Sequence, residues 1–259
     1  MAPDNPFSVE GKVAFVPGGY GGIGAAVALG LAQAGASVAV AGRSEEKAKA
    51  LAATLSEAGF HAIGLAMDAH DVESIRAATD RVVAELGRLD ILANCIGMNR
   101  EQKLAEVTEE TFDEIYRVNL RSAMFLAQAA AKHQVAGARG GKQVHLLSVR
   151  SMLGMRGYGY SAYCSTKGAL VMLVKQHAVE LAPHGITVNG IAPTVVLTEA
   201  AQKWRSDPGR WEALLARIPL GRVAEPRDIV GAAIFFCSSA SDFATGQILY
   251  LDGGITATQ

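Results

Sequence analysis

Val13-Ala14-Phe15-Val16-Pro17-Gly18-Gly19-Tyr20-Gly21-Gly22-Ile23-Gly24 leads straight into an Ala-rich segment that stops at Gly35, followed by Ser37-Val38-Ala39-Val40-Ala41. The β-branched and aromatic residues of Val13 to Val16 read as a buried strand. The Ala-rich segment to about Ala34 reads as a helix closed by glycine, and Ser37 to Ala41 reads as a second buried strand. Strand, helix and strand within about 30 residues is the length of one βαβ unit, which makes the two strands parallel.

The same alternation continues outward from that unit. A helix is expected from about Glu45 to Glu57 and a strand from about His61 to Ala66. Asp71 caps a helix to about Leu86, and Asp90 to Asn94 is a fourth strand. A long helix over about Phe112 to His133 precedes the apolar run Val144 to Leu147, a strand ending at Ser148, and a further helix opens near Ser161. Thr187 to Ile191 and Gln247 to Leu251 read as the last two strands, with a helix near Asp228 to Ser238 between them. Seven strands, most separated by helices, predict an α/β fold: one doubly wound parallel sheet with helices on both faces. No linker or repeat divides residues 1–259, so a single domain is expected. Only Thr194 to Arg222 breaks the rhythm. It carries Trp204, Trp211 and the turn signal Asp207-Pro208-Gly209, and a lid over the substrate, residues 194–222, is expected there.

Composition excludes several classes of function. A net charge of -1 with both signs interspersed leaves no basic footprint for nucleic acid. Cys95, Cys164 and Cys237 lie too far apart for a zinc site or a disulfide framework, and the six histidines show no ligand spacing, so no metal is expected. The opening MAPDNPFSVEGK lacks the apolar core of a signal peptide, and no apolar run approaches the ~18 residues of a membrane span. The expectation is a cytoplasmic protein acting on a small molecule.

Chemistry concentrates in two stretches. Five glycines in seven residues, Gly18 to Gly24, exceed what a tight turn requires; at a first βα turn they let the backbone approach a pyrophosphate at the helix N-terminus. At the end of the second strand stands Gly42-Arg43-Ser44, with no carboxylate for a ribose 2′-hydroxyl. Arginine there suits a 2′-phosphate, so NADP is preferred over NAD. The other stretch is Val144 to Lys167, VHLLSVRSMLGMRGYGYSAYCSTK. Tyr163 and Lys167 are four apart and share a helix face. An ammonium beside a phenol favours phenolate, and a serine hydroxyl from the strand end completes a proton-transfer site. Two serines compete, Ser148 at 15 residues before the tyrosine and Ser151 at 12. Ser148 is preferred because it ends the strand.

Together these residues resemble the short-chain dehydrogenase/reductase family over nearly the whole chain, which implies a Rossmann-like sheet. Pro17 to Gly24 is similar to T-G-x-x-x-G-I-G with proline for threonine. Asn94-Cys95-Ile96-Gly97 stands where N-N-A-G is usual, and Asn119 matches the helix asparagine. Pro193 to Thr198 corresponds to P-G-x-x-x-T, and Asp252-Gly253-Gly254 to the ending after the last strand. The resemblance implies a catalytic set of Asn119, Ser148, Tyr163 and Lys167. Tyr163 is the general acid/base, Ser148 binds the substrate oxygen, Lys167 lowers the tyrosine pKa and holds the nicotinamide ribose, and Asn119 holds a relay water. It implies cofactor contacts from Gly18, Tyr20, Gly22, Ile23, Gly24, Arg43, Asp68, Ala69, Asn94, Gly97, Tyr163, Lys167, Pro193, Val196 and Thr198. Pro17 removes a hydroxyl and an N–H from the cofactor turn, and Cys95 cannot brace the strand as an asparagine does. Family members are commonly tetramers that pack the helices near 112–133 and 161–182 between subunits, so a homotetramer is expected.

Met98, Asn99 and Arg100, then Arg150, Met152, Tyr158 and Tyr160, are expected at the pocket mouth and suit a hydrogen-bonding or anionic substrate. Tyr163 to Gly168 and Pro193 to Thr198 are similar to members acting on sugars, polyols and sugar acids. The expected reaction is therefore interconversion of a secondary alcohol and a carbonyl on such a molecule. The alternatives are a 3-oxoacyl thioester reductase and a catalytically silent nucleotide-binding regulator.

Overall fold

Ala14 and Val16 pack on one side of the sheet with Val38 and Val40, while Val13 and Phe15 pack on the other with Ala39 and Ala41. That period of two, apolar on both faces, is the mark of a parallel strand buried between helix layers. The structure is a computed structural model and describes residues 5–258. Residues 1–4 of the N-terminal run and residue 259 lie outside it, as do the side chains of Ala200, Lys203 and Trp204, so the lid expectation is described without Trp204.

The strands are β1 (Val13–Pro17), β2 (Ser37–Gly42), β3 (Ala62–Ala66), β4 (Ile91–Asn94), β5 (Gly141–Leu146), β6 (Ile186–Pro193) and β7 (Ile248–Leu251). They form one sheet in the order β3-β2-β1-β4-β5-β6-β7, and every pairing is parallel. The order reverses between β1 and β4, so their C-terminal ends diverge into a crevice, the place where such sheets bind ligands. Helices α1 (Gly22–Gln33), α2 (Glu45–Glu57) and α3 (Val72–Leu86) precede β4, and α4 (Glu109–Tyr116) and α5 (Ser122–Gly137) follow it. Helix α6 (Ser161–Leu181) comes after β5, α7 (Gln202–Arg205), α8 (Pro208–Leu215) and α9 (Pro226–Cys237) after β6. Val27, Leu31, Ile229 and Phe236 cover one face from α1 and α9. Ile75, Val82 and Leu126 cover the other from α3 and α5, joined by Leu170 and Val174 of α6.

The expected helix over 112–133 holds a wider turn: α4 runs into a π turn at Arg117–Arg121 and on into α5. Asn119 sits inside the π turn and is 1% exposed. Its Oδ1 accepts the Met98 N–H at 2.8 Å, and its Nδ2 donates to the Met98 carbonyl at 2.9 Å and to Thr166 Oγ1 at 3.2 Å. These tertiary bonds hold the wider turn, a device found mostly at functional sites.

Pro17 closes β1, and the N–H groups of Gly18 and Gly19 both reach the Ala41 carbonyl, at 2.8 and 3.3 Å. Gly18 has φ +73°, and a Cβ at Gly24 would collide with the Gly18 carbonyl oxygen. Helix α1 can therefore start against the strand only with glycine at these two positions.

The segment 194–222 leaves β6, forms α7 and α8, and returns where Leu197 and Ala224, then Ala224 and Val195, exchange backbone hydrogen bonds. Asp207 caps α8 by accepting the Arg210 N–H at 3.1 Å. Leu214, Ile218, Val223 and Ile255 form a small core of their own with Leu153 packed against it, which ties this segment to the loop after β5.

Candidate active site

Two helices open onto the crevice without side-chain caps. The N-caps of α1 and α6, Gly21 and Tyr160, make no capping hydrogen bond, and neither helix has an acid in its first turn. By contrast Ser44 caps α2, Asp71 caps α3 and Thr108 caps α4. The first N–H groups of α1 are therefore left to an external acceptor, at the positive end of its dipole. Against them lies a cleft of about 510 Å³, lined by the glycine loop, Cys95 to Asn99, Leu146 to Arg150, Tyr160, Tyr163, Lys167 and Pro193 to Val196. Gly22 meets Thr198 so closely that a Cβ would clash with its side chain. Uncapped donors, a glycine cradle and an elongated cleft at the switch point fit a dinucleotide.

At the cleft's centre, Ser148 stands two residues past the end of β5 with its hydroxyl in hydrogen-bonding reach of Tyr163. Ser148 Oγ also accepts the Arg150 N–H at 3.2 Å. Ser151 turns away, its Oγ 3.4 Å from the Tyr250 hydroxyl. The geometry thus places Ser148, not Ser151, beside the phenol. Lys167 is 2% exposed, and its Nζ donates to the Leu146 carbonyl at 2.7 Å while lying 5.7 Å from the Tyr163 ring. A Cβ at Gly97 would come to 3.4 Å from that Nζ, so glycine there keeps the approach to the lysine open.

Electrostatics here differ from the simple expectation of a phenol acidified by its neighbouring ammonium. Burial pushes the Tyr163 phenol above its ordinary value, and the hydrogen bond with Ser148 acts in the opposite direction. Part of Tyr163 opens into the cleft, yet the protein around its hydroxyl is dense enough for desolvation to dominate. Lys167 responds to the same surroundings: burial pulls its ammonium down to about 8. Tyr160, whose ring centroid is 6.0 Å from that of Tyr163, is pushed up to about 12 by burial and then by Glu101.

The structure brings together Gly18, Gly22, Ile23, Gly24, Gly97, Tyr163, Lys167, Pro193, Val196 and Thr198 along one cleft. Others of the expected set stand back from it. Tyr20 lies over Gly42, its hydroxyl accepting the Ser44 N–H at 3.0 Å. Arg43 and Asp68 are exposed at the rim, close enough for the guanidinium to help hold the carboxylate below its usual range, after the stronger effect of the His70 N–H. Ala69 is buried beside them. Asn94 is a strut: its Oδ1 accepts the Ile96 N–H at 3.1 Å and its Nδ2 donates to His145 Nδ1 at 3.2 Å. Asn119 clamps the loop after β4 to α6, both polar ends of its side chain engaged.

Of the residues expected at the mouth, Met98, Asn99, Arg150 and Tyr160 line the cleft. Arg100 does not; it is exposed and paired with Glu114 at 2.9 Å. Met152 is exposed, and Tyr158 lies under the Arg210 guanidinium, 5.3 Å from the ring centroid, where α8 meets the loop. Met155 and Glu199 also line the cleft. Glu199 adjoins Thr198 in sequence and was findable from it; Met155 carried no signal.

A family model described as enoyl-(acyl carrier protein) reductase matches residues 18–256. The chain is 38% identical over 248 residues to 2-dehydro-3-deoxy-D-gluconate 5-dehydrogenase of Escherichia coli K12, covering 96% of each chain. It is 39% identical over 257 residues to D-threitol dehydrogenase of Mycolicibacterium smegmatis, covering 99% of this chain and 97% of that one. Its structure matches that of a gluconate 5-dehydrogenase from Burkholderia cenocepacia J2315 in complex with NADP and tartrate. The TM-score is 0.94 and the identity 37%, over 98% of both chains.

Proposed function

The chain belongs to the short-chain dehydrogenase/reductase family, and on that premise we propose that it interconverts a secondary alcohol and a carbonyl of a sugar, polyol or sugar acid, with NADP as preferred cofactor. The observation that carries this reading is the grouping of Ser148, Tyr163 and Lys167 in the same cleft as the uncapped N-terminus of α1. When bound, the nicotinamide supplies the hydride acceptor or donor. Ser148 orients the substrate oxygen toward Tyr163, whose phenolate takes up the alcohol proton in oxidation and whose phenol gives one to the carbonyl oxygen in reduction. Lys167, held by the Leu146 carbonyl at 2.7 Å, keeps a cation behind the phenol and donates to the ribose. Any water held by Asn119 falls to its main chain, since its side chain is engaged.

Absorbance at 340 nm tests this. Purified protein is given NADP or NAD with polyols, aldoses and aldonic acids, and NADPH with their keto forms and a 3-oxoacyl thioester. Turnover on a polyhydroxylated class supports the proposal. Turnover confined to the thioester would replace it, and cofactor binding with no turnover on any of them would favour a silent regulator.

Arg43 bears on the cofactor. Replacing it with Leu is expected to lower kcat/KM for NADP by about 10–100-fold, the loss of a charge-assisted contact to the 2′-phosphate, and to change the value for NAD by less than about threefold. Equal losses with both would remove Arg43 from cofactor choice.

The assembly proposed is a homotetramer built on α4, α5 and α6. Phe112, Tyr116 and Met124 are exposed on the first two, and Met172 and Val179, seven apart, share one exposed face of the third. Apolar side chains clustered on outer helix faces suit burial between subunits. Light scattering during size exclusion measures the mass directly. A cytoplasmic location accords with three free thiols, and among the described residues no helix is long and apolar enough to cross a membrane.

A further inference from the structure

Arg150 lies in the loop between Ser148 and Tyr163 and is only 8% exposed. It lines the cleft together with Ser148, Tyr160 and Tyr163. Its Nη1 donates to the Leu153 carbonyl at 3.2 Å and to the Gly154 carbonyl at 2.6 Å, which fixes the direction of the guanidinium. The three remaining N–H groups, on Nε and Nη2, have no protein partner among the described residues. No carboxylate pairs with this arginine there either. Burial works against its charge, and so does a second cation, Arg217 of the lid segment; the Cys164 thiol and the Tyr160 and Tyr163 phenols oppose it with charge only when ionised. Glu199 lines the same cleft and Glu101 acts on Tyr160, but neither carboxylate is among the charges acting on Arg150.

A buried guanidinium without a counter-ion is costly, and more so beside another of the same sign. Surface arginines in this chain are commonly paired, as Arg100 is with Glu114 and Arg222 with Asp228. Arg150 has instead two carbonyls that orient it and an open planar edge of the shape that binds carboxylate with two parallel hydrogen bonds.

We propose that Arg150 is the carboxylate receptor of the substrate site. On this view the enzyme acts on a polyhydroxy acid, whose carboxylate sits on the free edge of Arg150 while the carbon to be oxidised or reduced lies at Ser148 and Tyr163. The proposal rests on the reading of the cleft as an alcohol/carbonyl site and adds the charge of the substrate to it. It favours an aldonic or keto-aldonic acid over a neutral polyol of the same length.

The test pairs gluconate with glucitol, which differ in a carboxylate against a hydroxymethyl group, in wild type, Arg150→Met and Arg150→Lys. The ratio of kcat/KM for gluconate to that for glucitol is expected to fall about 30-fold or more in Arg150→Met, carried by KM for the acid, with Arg150→Lys between. Calorimetric titration of gluconate into the NADP complex reads the same contact without turnover: binding is expected to weaken by a similar factor in Arg150→Met. A wild type that prefers glucitol overturns the proposal and leaves the reaction class standing. So does an equal loss on both compounds, which would make Arg150 only a brace for Leu153 and Gly154. Gluconate binding that depends on Arg150 but is followed by no turnover on any compound would keep the receptor and overturn the reaction class.

Discussion

Tyr163→Phe is expected to lower turnover by about three to four orders of magnitude in both directions while NADP binding changes less than about twofold. The substitution removes one oxygen. The ring remains edge-on to Tyr160, 6.0 Å between centroids, and Ser148 keeps its hydrogen bond from the Arg150 N–H at 3.2 Å, so neither the cleft wall nor the serine is disturbed. What is lost is the group that exchanges a proton with the substrate oxygen. Fluorescence titration with NADPH separates the two quantities. Residual activity above about one tenth would place the proton elsewhere, on Ser148 or a water, and end the assignment.

The state of that phenol gives the reaction a direction with pH. Burial holds Tyr163 above its ordinary value, so near neutrality it is protonated, the form that donates to a carbonyl oxygen. Alcohol oxidation needs the phenolate, so its rate is expected to climb with pH through the alkaline range, while carbonyl reduction holds or falls. A reduction rate that rises with pH would contradict the protonated phenol.

Much of this fold was legible because the sheet is buried on both faces. Val13 to Val16 and Ser37 to Ala41 could not belong to a half-wet strand, and the glycines between them left little choice for the turn. Strand ends were blurred where pairing outruns the apolar run: β5 begins at Gly141, three residues before Val144, because backbone pairing with β6 does not need apolar side chains. The π turn was invisible, since nothing in Arg117 to Arg121 departs from helical composition; it is held by bonds to Met98 and Thr166, distant in sequence. The same reason hid the pairing of Arg100 with Glu114, and the partner of Lys167, a main-chain carbonyl that any residue at 146 would provide. Spacing on a helix placed Tyr163 and Lys167 together, but it carries no information on how much protein surrounds them. The upward pull of burial on the Tyr163 phenol was therefore not readable from the spacing.

Lys167 is where the same burial becomes measurable as stability. Its Nζ is buried at the floor of the cleft with one carbonyl as its hydrogen-bond partner among the described residues, and its pKa falls from an ordinary 10.5 to about 8. A folded state that binds its proton less tightly than the unfolded chain is penalised wherever the group is charged. Below about pH 8 the whole penalty is present; between about 8 and 10.5 the unfolded chain holds more protons than the folded one, and stability contributed by this site rises with pH. The penalty has an upper bound of about 3 kcal/mol, and the bond to the Leu146 carbonyl returns about 1 kcal/mol of it. Lys167→Met fills the space without the charge. It is expected to gain on the order of 1–2 kcal/mol at pH 7, roughly 2–6 °C in Tm for a chain of this size, while losing about three orders of magnitude in turnover. Its advantage over wild type should shrink steadily as pH is raised from 8 to 10.5. Thermal melts of the two proteins across that range decide it: an advantage that does not change with pH would mean the gain comes from packing, and a variant less stable at pH 7 would mean the Leu146 bond outweighs the buried charge. Confirmation of both halves would make Lys167 a residue kept for chemistry at the expense of the fold.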